Sequence, residues 1–257
     1  NNGNNSITID FASNATSGTL TVTPQNPCGD GTPSSINITV SAPATPEKLA
    51  ITNTIGTQVT GSPFSITVQS QDASNNPAPV TSNTPVSVTV HTGSGSVSGS
   101  GTINAGNHTT SFNVTYTLSG SDGETGVKIQ ANATGLTSGV SNAFTVLPTE
   151  PTTQASGISL VSRTQSSINV SFTAGNGAGR LVAAKANSSN YSGGNTPIDG
   201  ISYNIGDAFG SNTTIRNKGN VTTATITGLS ANQWATFRVF EYNGNNVPNY
   251  NTSTASN

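Results

Sequence analysis

The chain has 257 residues, of which 31 % are apolar and 7 % charged, and its formal net charge is −2. Roughly 25 % charged is ordinary for soluble domains, so Asn, Ser and Thr must solvate this surface. Eight Lys and Arg without a cluster exclude a phosphate-neutralising nucleic-acid surface, and apolar runs of only a few residues exclude a membrane span.

Low charge with low hydrophobicity also describes disorder, but disordered segments lack β-branched and aromatic residues. Here Thr, Val and Ile alternate throughout, which predicts a folded chain. In chain order, strands are expected at Ser6–Phe11, Gly18–Thr23, Ile36–Ser41, Phe64–Ser70, Val86–His91, Thr109–Thr117, Gly126–Ala131 and Ser141–Leu147. They continue at Gly157–Ser162, Ser167–Phe172, Leu181–Ala186, Val221–Thr227 and Ala235–Glu241. Gly, Pro and Asn punctuate them closely, the pattern of an all-β sandwich or barrel, and no helical period is sustained. The alternation in Thr109–Thr117 turns Phe112, Val114 and Tyr116 inward and leaves a polar face in water.

Two proline-bearing linkers divide the chain, Ala42-Pro43-Ala44-Thr45-Pro46 and Leu147-Pro148-Thr149-Glu150-Pro151. They lie about 105 residues apart, close to the ~100 residues of an immunoglobulin-like sandwich. The expected domains are 1–42, 43–148 and 149–257. The first holds about three strands, too few to be securely stable alone, so strands upstream of residue 1 or a neighbouring subunit should complete it. With no Met and no signal peptide, the expectation is a mature product or an internal segment of something longer. Cys28, the sole cysteine, cannot pair within the chain; it is either an ordinary thiol or bonded to a cysteine upstream.

Thr19–Gly29 followed by Ser34–Val40 resembles the end of a PKD/immunoglobulin-like module. Phe64–Gln71 with the turn Asp72-Ala73-Ser74-Asn75-Asn76-Pro77, then Gly99–Ala105 and Gly126–Ala131, resembles a bacterial immunoglobulin-like repeat of the invasin type. In the last module Ser167–Phe172, Ala224–Leu229 and Thr236–Gly244 resemble fibronectin type III strands and the E–F corner. There the corner tyrosine of that family falls on Ala235, with Trp234 one position earlier; either Trp234 replaces it through a bulge or the corner hydrogen bond is absent. The stretch Gly175–Gly210 reads as an insertion. Together these resemblances imply serial immunoglobulin-like and fibronectin type III-like β-sandwiches in an elongated array. The resemblance implies a segment of a large secreted surface adhesin of the kind found in Bacteroidetes.

No catalytic set is legible. Acid/base chemistry needs titratable groups poised together, whereas Asp10, Asp30, Glu47, Asp72, Asp122, Glu124, Glu150, Asp199, Asp207 and Glu241 are scattered, mostly in turns. His91 and His108 are isolated and lack zinc spacing. Ser121-Asp122-Gly123-Glu124 puts two acids in one glycine turn without the EF-hand pattern; a turn is expected, with a surface calcium between modules as the alternative. Asn-x-Ser/Thr sequons follow from composition, since the chain holds 32 Asn. Tyr191, Tyr203, Trp234, Tyr242 and Tyr250 are expected in the core and edge of the last sandwich, a sugar-stacking platform being the other reading. The expected function is therefore a non-enzymatic stalk of an extracellular cell-surface adhesin, with no cofactor and no metal. Its partners would be neighbouring modules of the same long chain, neighbouring subunits, or surface polysaccharide, with no nucleic acid and no membrane span. The rival functions are accessory modules of a polysaccharide-degrading enzyme and a filament subunit assembled by strand exchange.

Overall fold

The computed structural model describes residues 8–12, 15–40, 44–186, 196–208, 213–231 and 234–252. The expected linker at 42–46 and Tyr191 therefore lie partly or wholly outside the described residues. The chain divides into two compact units, Asn1–Thr45 and Pro46–Asn257.

The first unit has β1 (Gly18–Val22), β2 (Gln25–Asn26), β3 (Gly29–Asp30) and β4 (Ser34–Ile38). β1 pairs antiparallel with β4, and the two-residue β2 and β3 pair around the turn that carries the exposed Cys28. Of the strand expected at Ser6–Phe11, only 8–11 is described, and it is not strand. Phe11, Val22 and Ile36 remain more than half exposed, at 56 %, 56 % and 64 %. A single two-stranded pairing offers too little apolar area to cover them.

The second unit begins with one sandwich built from β5 (Lys48–Ile51), β6 (Gln58–Val59), β7 (Pro63–Gln71), β8 (Thr84–Thr92) and β9 (Ser96–Ser98). It continues through β10 (Ser100–Ile103), β11 (Thr109–Thr117), β12 (Glu124–Asn132), β13 (Gly139–Val140) and β14 (Phe144–Leu147). One sheet has the order β5-β7-β11-β9; the other runs β10-β8-β12-β14-β6, with β13 also paired to β12. Only β14 and β6 are parallel among these pairs. Alternation decides the inner face: Ile66 and Val68 of β7, Val114 and Tyr116 of β11, and Val127, Ile129 and Ala131 of β12 are buried in one core, with Phe112 packed against it. The turn Asp72–Pro77 closes as its residue types predict. The Asp72 carboxylate accepts from Ser74 N (2.9 Å) and Asn76 N (2.8 Å), while Asn75 takes φ +69°, which asparagine tolerates.

A second sandwich follows in the same unit: β15 (Ser156–Arg163), β16 (Ser167–Thr173), β17 (Gly179–Ala186), β18 (Thr213–Gly219), β19 (Thr223–Thr227), β20 (Ala235–Asn243) and β21 (Asn249–Tyr250). Its sheets have the orders β15-β16-β19 and β18-β17-β20-β21, the strand arrangement of a fibronectin type III-like sandwich. Val182, Ala184, Phe237 and Val239 face the core between the sheets. Their neighbours Leu181, Ala183, Phe240 and Tyr242 face outward into a second core with Ile215 and Tyr250, against which Tyr203 packs. The insertion supplies this outer cover. Tyr250 donates through its hydroxyl to Ile201 O (3.0 Å) and through its amide to Asp199 Oδ1 (2.8 Å). Burial on both faces explains why Leu181-Val182-Ala183-Ala184 is an unbroken apolar run where a half-exposed strand would alternate.

Candidate functional site

Among the described residues a dense set of long-range polar contacts surrounds the linker from Leu147 to Gln154, between the two sandwiches. Proline removes backbone donors there, so the linker carbonyls need partners from elsewhere. Asparagine side chains of the second sandwich supply them. Asn249 Nδ2 donates to Pro148 O (2.8 Å), Asn243 Nδ2 to Thr149 O (2.8 Å) and Asn251 Nδ2 to Pro151 O (2.7 Å). Asn176 Oδ1 accepts from the amides of Thr152 (3.1 Å) and Thr153 (2.9 Å), and its Nδ2 donates to Thr152 Oγ1 (2.9 Å). Asn249 and Asn251 are buried, so their bonds are made in a water-poor setting where an unmet group is costly.

The first sandwich contributes an acidic clamp. Asp122 sits in the loop between β11 and β12 and faces the turn between β20 and β21. Its Oδ1 accepts from the amides of Asn245 (3.0 Å), Asn246 (3.1 Å) and Val247 (3.2 Å), and its Oδ2 from Asn246 Nδ2 (2.7 Å). Desolvation opposes ionisation, but these donors outweigh it and hold the carboxyl below its ordinary range. The neighbouring Gly123 permits the approach: a Cβ there would stand 2.6 Å from Val247 O and 2.8 Å from Val146 O.

The structure thus separates the two acids of Ser121-Asp122-Gly123-Glu124. Asp122 is spent on the turn of the next sandwich. Glu124 turns inward, where Oε2 accepts from Tyr116 Oη (2.5 Å) and Oε1 from Ser94 N (2.8 Å). Burial raises the Glu124 carboxyl, but the Ser94 and Tyr116 donors bring it below its usual value; burial, with Glu124 opposite, pushes the Tyr116 hydroxyl up to about 12. The two carboxylates do not converge, and among the described residues no group of three His, Cys, Asp or Glu could hold a metal. His91 is exposed, with Nδ1 3.1 Å from Gln130 Oε1. Tyr203, Tyr242 and Tyr250 form a cluster of mutually tilted rings, with centroids 5.5 Å (Tyr242–Tyr250) and 6.1 Å (Tyr203–Tyr250) apart.

Trp234, by contrast, is 71 % exposed, and β20 pairs with β17 in continuous register from Ala235. Trp234 therefore does not fill the place of a corner tyrosine. An open cavity of about 610 Å³ is lined by Arg163, Thr164, Gln165 and Ile168 from one side and by Leu229, Ser230 and Ala231 from the other.

No protein-family model and no curated protein matches the chain. Among solved structures it is similar to titin domains A168–A170, at 13 % identity over 95 % of this chain and 73 % of that one, with a TM-score of 0.35. It is also similar to the FN1–FN3 domains of chicken CNTN1, at 13 % identity over 93 % of this chain and 72 % of that one (TM-score 0.33). Domains 4–9 of the surface layer protein SbsC are similar at 17 % identity over 86 % of this chain and 33 % of that one (TM-score 0.34). The strand orders of the two sandwiches carry the fold; these likenesses add no functional argument. Among the described residues the chain is all-β, and residues 46–257 form two serial β-sandwiches. Among the described residues no helix is long and apolar enough to cross a membrane.

Proposed function

We propose that residues 46–257 are a non-catalytic spacer of an extracellular surface protein, a stalk segment that transmits orientation from one sandwich to the next. The observation that carries this reading is the Asp122 clamp, which joins side chain to backbone across about 124 residues of sequence. A flexible tether would leave such amides to water. Here the linker carbonyls and amides are held by Asn176, Asn243, Asn249 and Asn251, and the turn at 245–247 by Asp122. Nitrogen-15 relaxation on the intact chain tests the proposal. The two sandwiches should share one correlation time and one rotational diffusion tensor; two independent tensors would overturn it.

The exposed Trp234 favours a second reading, in which the second sandwich also binds a surface polysaccharide by stacking a sugar on the indole. Trp234 is the sole tryptophan, so its fluorescence reports that contact directly. A panel of soluble glycans that leaves its emission unchanged removes this reading and leaves the spacer intact.

A further inference from the structure

Glu241 lies on β20 with no exposed surface, and its amide donates to Gln154 Oε1 of the linker (3.1 Å). Its carboxylate reaches the loop between β16 and β17. Oε1 accepts from Gly175 N (2.7 Å) and Oε2 from Gly177 N (3.0 Å). Arg180, 4 % exposed, places Nη1 3.8 Å from Oε2. The guanidinium makes its own bonds to Val221 O (3.0 Å), Gly177 O (3.2 Å) and the Asn220 side chain. Isolated buried ions are expensive, and an ion pair often stabilises no more than apolar packing would. What this carboxylate does, and an apolar side chain could not, is hold two backbone N–H groups of one loop. That loop is pulled hard against the linker: a Cβ on Gly175 would fall 2.1 Å from Thr153 O. Asn176, between the two held glycines, is the residue that grips the amides of Thr152 and Thr153.

We infer that Glu241 is the positioning residue of the linker, fixing through Gly175, Asn176 and Gly177 the path of residues 152–153 and hence the entry of the second sandwich. This deepens the spacer reading and rests on it. The groups that face the carboxylate are few. Arg180, its cross-strand partner, comes from β17, while Tyr242, next on β20, turns to the opposite face into the outer core; the loop 174–178 and residues 152–154 carry no titratable side chain. Burial pushes the Glu241 carboxyl above its ordinary value, against the opposing pull of the Gly175 amide, Arg180 and the Gly177 amide. A folded pKa raised above the unfolded one means that acid relieves a penalty of the folded state. Global stability from this group is therefore not lost as pH falls through the folded value. The two amide contacts favour the ionised form, so by reciprocity protonation weakens them. Acidification should loosen the loop and linker while the sandwich stays folded.

Amide hydrogen exchange on the intact chain, corrected for intrinsic rates, tests this. In Glu241→Gln the protection of Thr152, Thr153, Gly175 and Gly177 should fall about tenfold or more, the loss expected for hydrogen bonds to a charged acceptor. β12 of the first sandwich should be unaffected. In the unsubstituted chain the same four amides should lose protection as pH falls through the Glu241 titration, with the midpoint of thermal unfolding not lowered by that group; Glu241→Gln should show no such pH step. Asn176→Ala, which leaves the ion pair in place, should expose Thr152 and Thr153 but keep Gly175 and Gly177 protected. The inference is overturned if Glu241→Gln lowers protection evenly through β16, β17 and β20, or if Asn176→Ala leaves Thr152 and Thr153 protected, a result that holds even where Glu241→Gln fails to fold. Failure of the spacer reading is a separate result: independent tumbling of the two sandwiches in the unsubstituted chain.

Discussion

Replacing Asp122 by alanine should release the second sandwich from the first without unfolding either. The carboxylate accepts from three consecutive amides and one side-chain amide of the turn at 245–247. Asn245 and Asn246 are exposed, so water can replace part of what is lost, which sets the cost near the lower end of the range for hydrogen bonds to a charged group, about 2 kcal/mol. That is a shift of roughly thirtyfold toward the undocked arrangement. The cores that hold each sandwich lie away from Asp122, so both should keep their own cooperative unfolding. Relaxation or residual dipolar couplings should show two alignment tensors in Asp122→Ala where the unsubstituted chain shows one. Acid should mimic the substitution only at low pH. The folded pKa of Asp122 is depressed, so its contribution is complete above the unfolded value and is lost as pH falls through the lower, folded one. An Asp122→Ala chain with a single tensor and unchanged couplings would refute the reasoning.

The buried donors of the linker should cost more than the exposed ones. Asn251→Ala leaves Pro151 O without its partner in a buried setting and should lower unfolding free energy by about 1–3 kcal/mol in urea titration, whereas Asn176→Ala, at an exposed site, should cost less than 1 kcal/mol. Ile129→Ala, at a fully buried position of β12, should destabilise the first sandwich by about 2–5 kcal/mol and leave the unfolding of the second little changed, as two calorimetric transitions would show. In residues 15–40 the amides should exchange fast in a monomeric preparation, because Val22 and Ile36 lie open. Slow exchange there in a monomer would mean that this unit is a complete small domain. Raising salt should leave the Asp122 junction in place, since it joins a charge to backbone dipoles at contact distance and screening acts chiefly on separated charges.

Much of the fold was legible because strand chemistry is local. Alternation in Phe64–Ser70, Thr109–Thr117 and Gly126–Ala131 marks the inner face directly, and Asp72–Pro77 carries its own turn. The junction was not legible, for a physical reason. Asp122 reads as an ordinary turn acid, and its partners lie 123 to 125 residues away. Asn176, Asn243, Asn249 and Asn251 are four among 32 asparagines in a chain that uses Asn for solvation everywhere, so no local contrast singles them out. Leu181–Ala184 did carry a signal, since an apolar run without alternation implies cover on both faces. The cover itself, Tyr203 and the 196–208 segment, lay inside a stretch with no strand pattern. Trp234 shows the opposite failure: an aromatic beside a strand, expected inside, stands in solvent.

The scarcity of charge also has a structural use. Among the described residues, six acids accept backbone amides: Asp72 from Ser74 and Asn76, Asp122 from residues 245–247, Glu124 from Ser94, Asp199 from Tyr250, Asp207 from Asn204 and Glu241 from Gly175 and Gly177. Asp72 and Asp207 bind within their own turn; Asp122, which also accepts from the adjacent Gly123 N, joins Glu124, Asp199 and Glu241 in tying together segments at least 30 residues apart. A carboxylate suits this task because it accepts at two oxygens and its charge strengthens each bond. Asparagine offers one acceptor and one donor group, which suits the linker, where both carbonyls and amides need partners. With so few Lys and Arg to compete for them, these carboxylates remain available to backbone donors. The same composition that gives up surface charge for Asn, Ser and Thr thus lets its few acids act as long-range fasteners. Such a division of labour fits the proposed spacer, in which neighbouring sandwiches are kept in fixed orientation.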